Sequence, residues 1–128
     1  MKTPSDLRYT EEHEWVRLEG STAVIGITDY AQGELGDIVF VELPNPETQV
    51  ERGDVFGTIE AVKTVADLYS PISGKVIEVN ESLNDQPEIV NQNSYEDGWM
   101  VRIEPDDVSE LEALMDAGAY RSHVGQED

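Results

Sequence analysis

Cysteine is missing from this chain. Its absence excludes disulfide staples, thiolate metal sites and a thiol nucleophile. Basic residues are scarce: Lys and Arg total 8 against 28 Asp and Glu, for a net charge of −20. Such a surface repels nucleic-acid phosphates and anionic headgroups, so neither nucleic acid nor membrane is an expected partner. Solubility or a salt-adapted source would explain the charge without any function. Long apolar runs are missing too; no stretch approaches the ~20 residues of a membrane span. Residues Met1–Asp6 resemble neither a secretory signal nor an Arg-rich transit segment. A cytoplasmic location is therefore the expectation, with a processed chain of the mitochondrial matrix as the alternative. The only two histidines, His13 and His123, are far apart with no third ligand pattern, so no metal is expected. Phosphate-binding glycine loops and the nucleophile elbow are missing as well.

What is present reads as β-structure in one domain spanning residues 1–128. Runs rich in β-branched and aromatic residues cover Trp15–Leu18, Thr22–Ile27, Ile38–Leu43, Val55–Val62, Val65–Tyr69, Lys75–Val79 and Trp99–Ile103. Breakers such as Glu19-Gly20, Pro44-Asn45-Pro46, Arg52-Gly53-Asp54 and Ser73-Gly74 separate them. Many short strands without room for crossover helices argue for a sandwich or small barrel. Two helices are expected. A short one covers residues 29–35, ended by Gly36. A C-terminal one covers about 108–117, capped by Asp107 with Glu110 completing a capping box and Gly118 as its stop. Val108, Leu111, Leu114 and Met115 form its apolar stripe, expected to pack on the sheets. The tail, about 122–128, is expected to be frayed.

The most informative segment is Glu60-Ala61-Val62-Lys63-Thr64-Val65-Ala66-Asp67, which joins two strand-like runs over about 55–69. It places Lys63 at or near a hairpin tip. Two-residue hairpin turns favour Asn-Gly or Asp-Gly, because their backbone needs φ > 0. This tip has neither and puts valines nearby, so turn chemistry does not explain it. A lysine offered between Val62 and Thr64 points to recognition by another protein, although an exposed lysine alone is ordinary.

Several separated motifs add to this. They are His13-Glu14-Trp15, Gly26-Ile27-Thr28-Asp29-Tyr30-Ala31-Gln32, Leu35-Gly36-Asp37 and Val39-Phe40-Val41-Glu42-Leu43-Pro44. Then come Val62-Lys63-Thr64 with Asp67, Tyr69, Pro71 and Ser73-Gly74, followed by Pro87, Val90-Asn91, Tyr95 and Gly98-Trp99. In this order, across almost the whole chain, they resemble the glycine cleavage H protein family. Alanine at 61, Val-Ala at 65–66 and glutamate at 34 depart from its usual residues.

The resemblance implies a mainly β, lipoyl/biotinyl-domain-like barrel-sandwich hybrid. It implies a monomeric, non-catalytic carrier with lipoate amide-linked to Lys63. Recognition by the modifying lipoate ligase or octanoyltransferase falls on Glu60, Val62 and Thr64, and a cargo cavity includes Glu14 and Asp67. In the cycle it implies, a pyridoxal-phosphate glycine decarboxylase loads an aminomethyl group onto the arm and an aminomethyltransferase passes the carbon to tetrahydrofolate. Dihydrolipoamide dehydrogenase then reoxidises the dithiol. One alternative is a lipoate or octanoate relay for other lipoyl carriers. Another is a biotinyl carrier, which usually flanks its lysine with methionines. An enzyme using Lys63 as a Schiff base would need a desolvated pocket that a hairpin tip does not supply.

Overall fold

The structure, a computed structural model, describes residues 2–125. Among these residues nine strands run in the order β1 (Arg8–Tyr9), β2 (Glu14–Glu19), β3 (Thr22–Ile27), β4 (Ile38–Glu42), β5 (Gln49–Val50), β6 (Val55–Ala61), β7 (Val65–Tyr69), β8 (Gly74–Val79) and β9 (Val101–Pro105). They form two antiparallel sheets. One has six strands in the order β1-β2-β3-β9-β8-β5, and the other has three in the order β4-β6-β7. Among the described residues four short α-helices punctuate them: α1 (Asp29–Leu35), α2 (Ser82–Asp85), α3 (Ile89–Gln92) and α4 (Ala117–His123).

The main core lies between the sheets, where Val16, Ile25, Ile27, Val41, Ile59, Leu68, Val76 and Ile103 bury their side chains together. The period of two in strands puts every second residue on the other face. In β3 that other face is covered as well, which is why Ala23 to Ile27 reads as a continuous apolar run rather than an alternation. A second cluster forms there from Leu7, Tyr9, Trp15, Val24, Tyr95, Ala117 and Tyr120. Trp15 pairs with Gly26 across β2 and β3, and its indole lies over that glycine. A Cβ at position 26 would sit 2.7 Å from the ring, so only glycine lets the indole close down. The indole nitrogen donates to the Ser94 carbonyl at 3.0 Å.

Helix α1 occupies the expected residues. Thr28 caps it by accepting the Ala31 N–H at 3.1 Å, and Gly36 closes it at φ 79°, ψ −154°. The C-terminal region corrects the expectation of one helix over 108–117. Residues Val108–Ala113 form a 3-10 segment instead. Asp107 does cap it, accepting the Ser109 N–H at 2.9 Å. Glu110, however, turns away from the capping box. Its carboxylate accepts from the Ser73 amide at 2.8 Å and from the Ser73 hydroxyl at 3.1 Å. That tertiary pairing before β8 outweighs the local bond. Leu114 is then extended, and Met115 exchanges backbone hydrogen bonds with Tyr9. Asp116 caps a fresh helix, α4, by accepting the Ala119 N–H at 2.8 Å. Gly118 therefore lies inside a helix rather than stopping one. Of the expected stripe, Leu111 and Leu114 reach the main core and Met115 the second cluster, while Val108 stays exposed. The frayed tail is also corrected at its start, since Ser122 and His123 belong to α4. Its last residues, 126–128, lie outside those described.

Candidate functional site

β6 and β7 form the hairpin anticipated over 55–69, in register Glu60↔Val65, Ile59↔Ala66 and Thr58↔Asp67. The tip closes through the Ala61 N–H donating to the Thr64 carbonyl at 2.8 Å, leaving Val62 and Lys63 as the two turn residues. The positive-φ residues other than glycine, among those described, are His13 and Glu47. The tip thus turns without a left-handed residue and needs no Asn-Gly. A second bond fixes it from outside: the Val62 N–H donates to the Asp37 carbonyl at 3.0 Å. Lys63, Glu60, Val62 and Thr64 are all exposed. The Lys63 stem lies against Gly36, where an added Cβ would meet Cε at 3.5 Å. Among the described residues no carboxylate lies within ion-pair distance of its amine.

Beside the hairpin is a cleft of about 230 Å³. Ile27, Ala31, Leu35, Ile59, Ala66 and Leu68 supply its apolar walls. Glu14 and Asp67 both line it, so the fold brings these two sequence candidates together with the outgoing strand from Lys63. Their environments differ sharply. Asp67 is exposed, whereas Glu14 is only 2% exposed. Glu14 is the first residue of β2, and its carboxylate accepts from the Thr10 hydroxyl at 2.6 Å and from the Tyr69 N–H at 3.3 Å. Those bonds favour the charged form, but burial outweighs them and pushes its pKa up to about 7, with the charge of Glu12 adding to the rise. Glu34, also on the cleft, accepts a hydrogen bond from Tyr30, which raises the Tyr30 phenol.

His13 is placed beyond what sequence spacing indicated. It sits at φ 73°, its Nδ1 within 2.8 Å of the Tyr120 hydroxyl, which is itself 2.7 Å from the Thr28 hydroxyl. Burial, then the neighbouring His123, lowers its pKa. The two histidine rings, distant in sequence, are 5.9 Å apart, and His123 Nε2 donates to the Glu11 carbonyl at 3.1 Å. Tyr120 therefore ties α4 to the cap of α1, whose inner side faces the cleft. No sequence signal indicated that role for Tyr120 or the burial of Glu14.

A small sheet with a lysine at its tip, packed against a larger sheet, is the architecture of the lipoyl-domain-like carriers, and fold and site together define such a carrier. The comparisons narrow this. The family model for the glycine cleavage H-protein matches residues 7–127. A glycine cleavage system H protein of Staphylococcus saprophyticus is 57% identical over 126 residues, covering 98% of this chain and 100% of the relative. The Staphylococcus haemolyticus protein of the same name is 56% identical over equal coverage. The crystal structure of a glycine cleavage system H protein from Mycobacterium marinum superposes with a TM-score of 0.87 at 37% identity, covering 95% of this chain and 98% of that one. The chain belongs to the glycine cleavage H-protein family, the lipoate-carrying, non-catalytic subunits of the glycine cleavage system.

Proposed function

We propose that lipoate is amide-linked to Lys63, and that Glu60, Val62 and Thr64 are what lipoate ligase or octanoyltransferase reads around it. The observation that carries this is placement: Lys63 is an exposed tip residue, its amine has no ion-pair partner among the described residues, and the strand that leaves it lines a largely apolar cleft through Ala66 and Leu68. The residues present fit the group. Aliphatic walls suit an acyl arm, and Asp67, on β7, lies four residues beyond Lys63, at most about 13 Å away at the rise of a strand. When attached, lipoate supplies a reversible dithiol at the end of a long arm, chemistry that this cysteine-free chain does not otherwise hold.

The chain's own residues then bind and shield. The cleft walls exclude water from whatever is carried into it. Glu14 and Asp67 offer carboxylates to a cationic amine. Burial pushes the Glu14 pKa up to about 7, and a cation beside it would draw the proton off and leave an ion pair. The partners in this reading are the pyridoxal-phosphate glycine decarboxylase, the folate-dependent aminomethyltransferase and dihydrolipoamide dehydrogenase. A surface of −20 steers their basic mouths toward encounter. The molecule acts as a monomer in the cytoplasm, a location supported by its bacterial relatives.

The test is intact mass of protein from its native source with fragmentation across residues 53–75. One lipoyl group on Lys63 is expected. Lys63→Arg keeps the charge but removes the amine that is acylated, so it should fold normally and accept no cargo from the decarboxylase. Lipoate on Lys75, or biotin on Lys63, would overturn the reading.

A further inference from the structure

Asn91, on α3, lies away from the cleft lining yet makes three hydrogen bonds toward the hairpin tip. Its Nδ2 donates to the Gly36 carbonyl at 2.8 Å and to Gln32 Oε1 at 3.0 Å, and its Oδ1 accepts the Ile38 N–H at 3.0 Å. Gln32 is itself oriented, since its Nε2 donates to Asp29 Oδ1 at 2.8 Å. One side chain thus brackets the turn between α1 and β4 from both ends. That turn is the surface Lys63 rests on. Gly36 faces the lysine stem, and the Asp37 carbonyl, between the two bracketed residues, accepts the Val62 N–H. Gly36 also sits at φ 79°, ψ −154°, a region open to glycine and strained for other residues. The chemistry required at position 91 is specific: one acceptor and two donors on a short planar group. Aspartate has no donor, and alanine has neither. Val90, fully buried in the main core, anchors α3 so that the bracket is rigid.

We propose that Asn91 is a positioning residue for Lys63, holding the Gly36–Ile38 turn so that the tip, and with it the lysine amine, is presented in one place for acylation. This rests on the reading of Lys63 as the lipoylated residue. The bracket acts on how the attaching enzyme meets the lysine, not on the chemistry at the amine.

Apo-protein is assayed with lipoate ligase, lipoate and ATP, comparing wild type, Asn91→Ala, Asn91→Asp and Asn80→Ala. Asn80 is the matched control. It too makes three side-chain hydrogen bonds, to the Asp97 and Trp99 carbonyls and from the Ser82 amide, none of them to the Gly36–Ile38 turn or to the tip. Both Asn91 variants should raise KM for the apo-protein about five- to tenfold with kcat within about twofold, and should speed hydrogen exchange of the Val62 amide about tenfold. Asn80→Ala should lower the unfolding midpoint and move neither. Should Asn91→Ala fail to fold, Asn91→Asp, which keeps size and the Ile38 acceptor, carries the test. An Asn91 variant that is folded, with KM and Val62 exchange matching Asn80→Ala, overturns the proposal. Failure of the wild type to be acylated at Lys63 would instead overturn the reading of Lys63 itself.

Discussion

Glu14→Gln should abolish a specific dependence of stability on pH. In the folded protein the Glu14 carboxyl is held up to about 7 against an ordinary 4.5. An acid whose pKa is raised by folding contributes stability that is complete below its unfolded pKa and is lost as pH rises through the folded value. The window therefore runs from about pH 4.5 to a little above pH 7. Every pH unit between the unfolded and folded values corresponds to about 1.4 kcal/mol, so the loss approaches about 3 kcal/mol across that window, as an upper figure. Glutamine imitates the protonated acid in size and leaves nothing to ionise. Wild type and variant share the repulsion among the remaining acids, so their difference isolates Glu14. The assay is urea unfolding of both apo-proteins at several pH values. Equal unfolding free energies near pH 4.5 are expected, diverging until Glu14→Gln is the more stable by up to about 3 kcal/mol at pH 8. Parallel curves across that range would show that Glu14 titrates like an exposed carboxylate and would refute the argument from burial.

Three further outcomes are expected. Glu14→Ala and Asp67→Ala should hasten spontaneous loss of amine from the loaded carrier in buffer; for exposed Asp67 the change should be a few-fold at most, because an exposed ion pair contributes only ~0.2–1 kcal/mol. The rate of association with the decarboxylase should fall as salt rises, since exposed charges are screened over ~10 Å at 0.1 M; a salt-independent rate would leave solubility as the reason for the acidity. Gly26→Ala should cost about 1–3 kcal/mol and shift the Trp15 fluorescence, because the added methyl overlaps the indole; unfolding midpoints and emission spectra check it.

The strands were legible because β-branched runs bounded by Gly and Pro are a local signal, and residues 65–69 and 22–27 emerged with their observed limits. Strands β1 and β5 were not, since two residues carry no periodicity. The four-residue helices α2 and α3 are too short for a helical stripe. At the C-terminus a sound local rule met a stronger distant partner: Glu110 is spaced for a capping box, and Ser73, 37 residues away, takes its carboxylate. Lys63, as a tip residue, followed from the hairpin pattern. The cleft did not. The burial of Glu14 depends on the packing of β7, through the Tyr69 amide, and on the Thr10 turn, neither of which has a signature in His13-Glu14-Trp15.

The tip turns without a left-handed residue, and a carbonyl on another loop, at Asp37, takes the Val62 N–H. Shape and spelling are thereby separated in this hairpin. Where a turn depends on Asn-Gly, its letters are committed to the backbone and carry little else. Here Val62 and Thr64 are released from that duty, which under the proposed reading leaves their side chains available as an address for the attaching enzyme. Exchanging them should redirect which enzymes act on the lysine while the turn that displays it stays as it is.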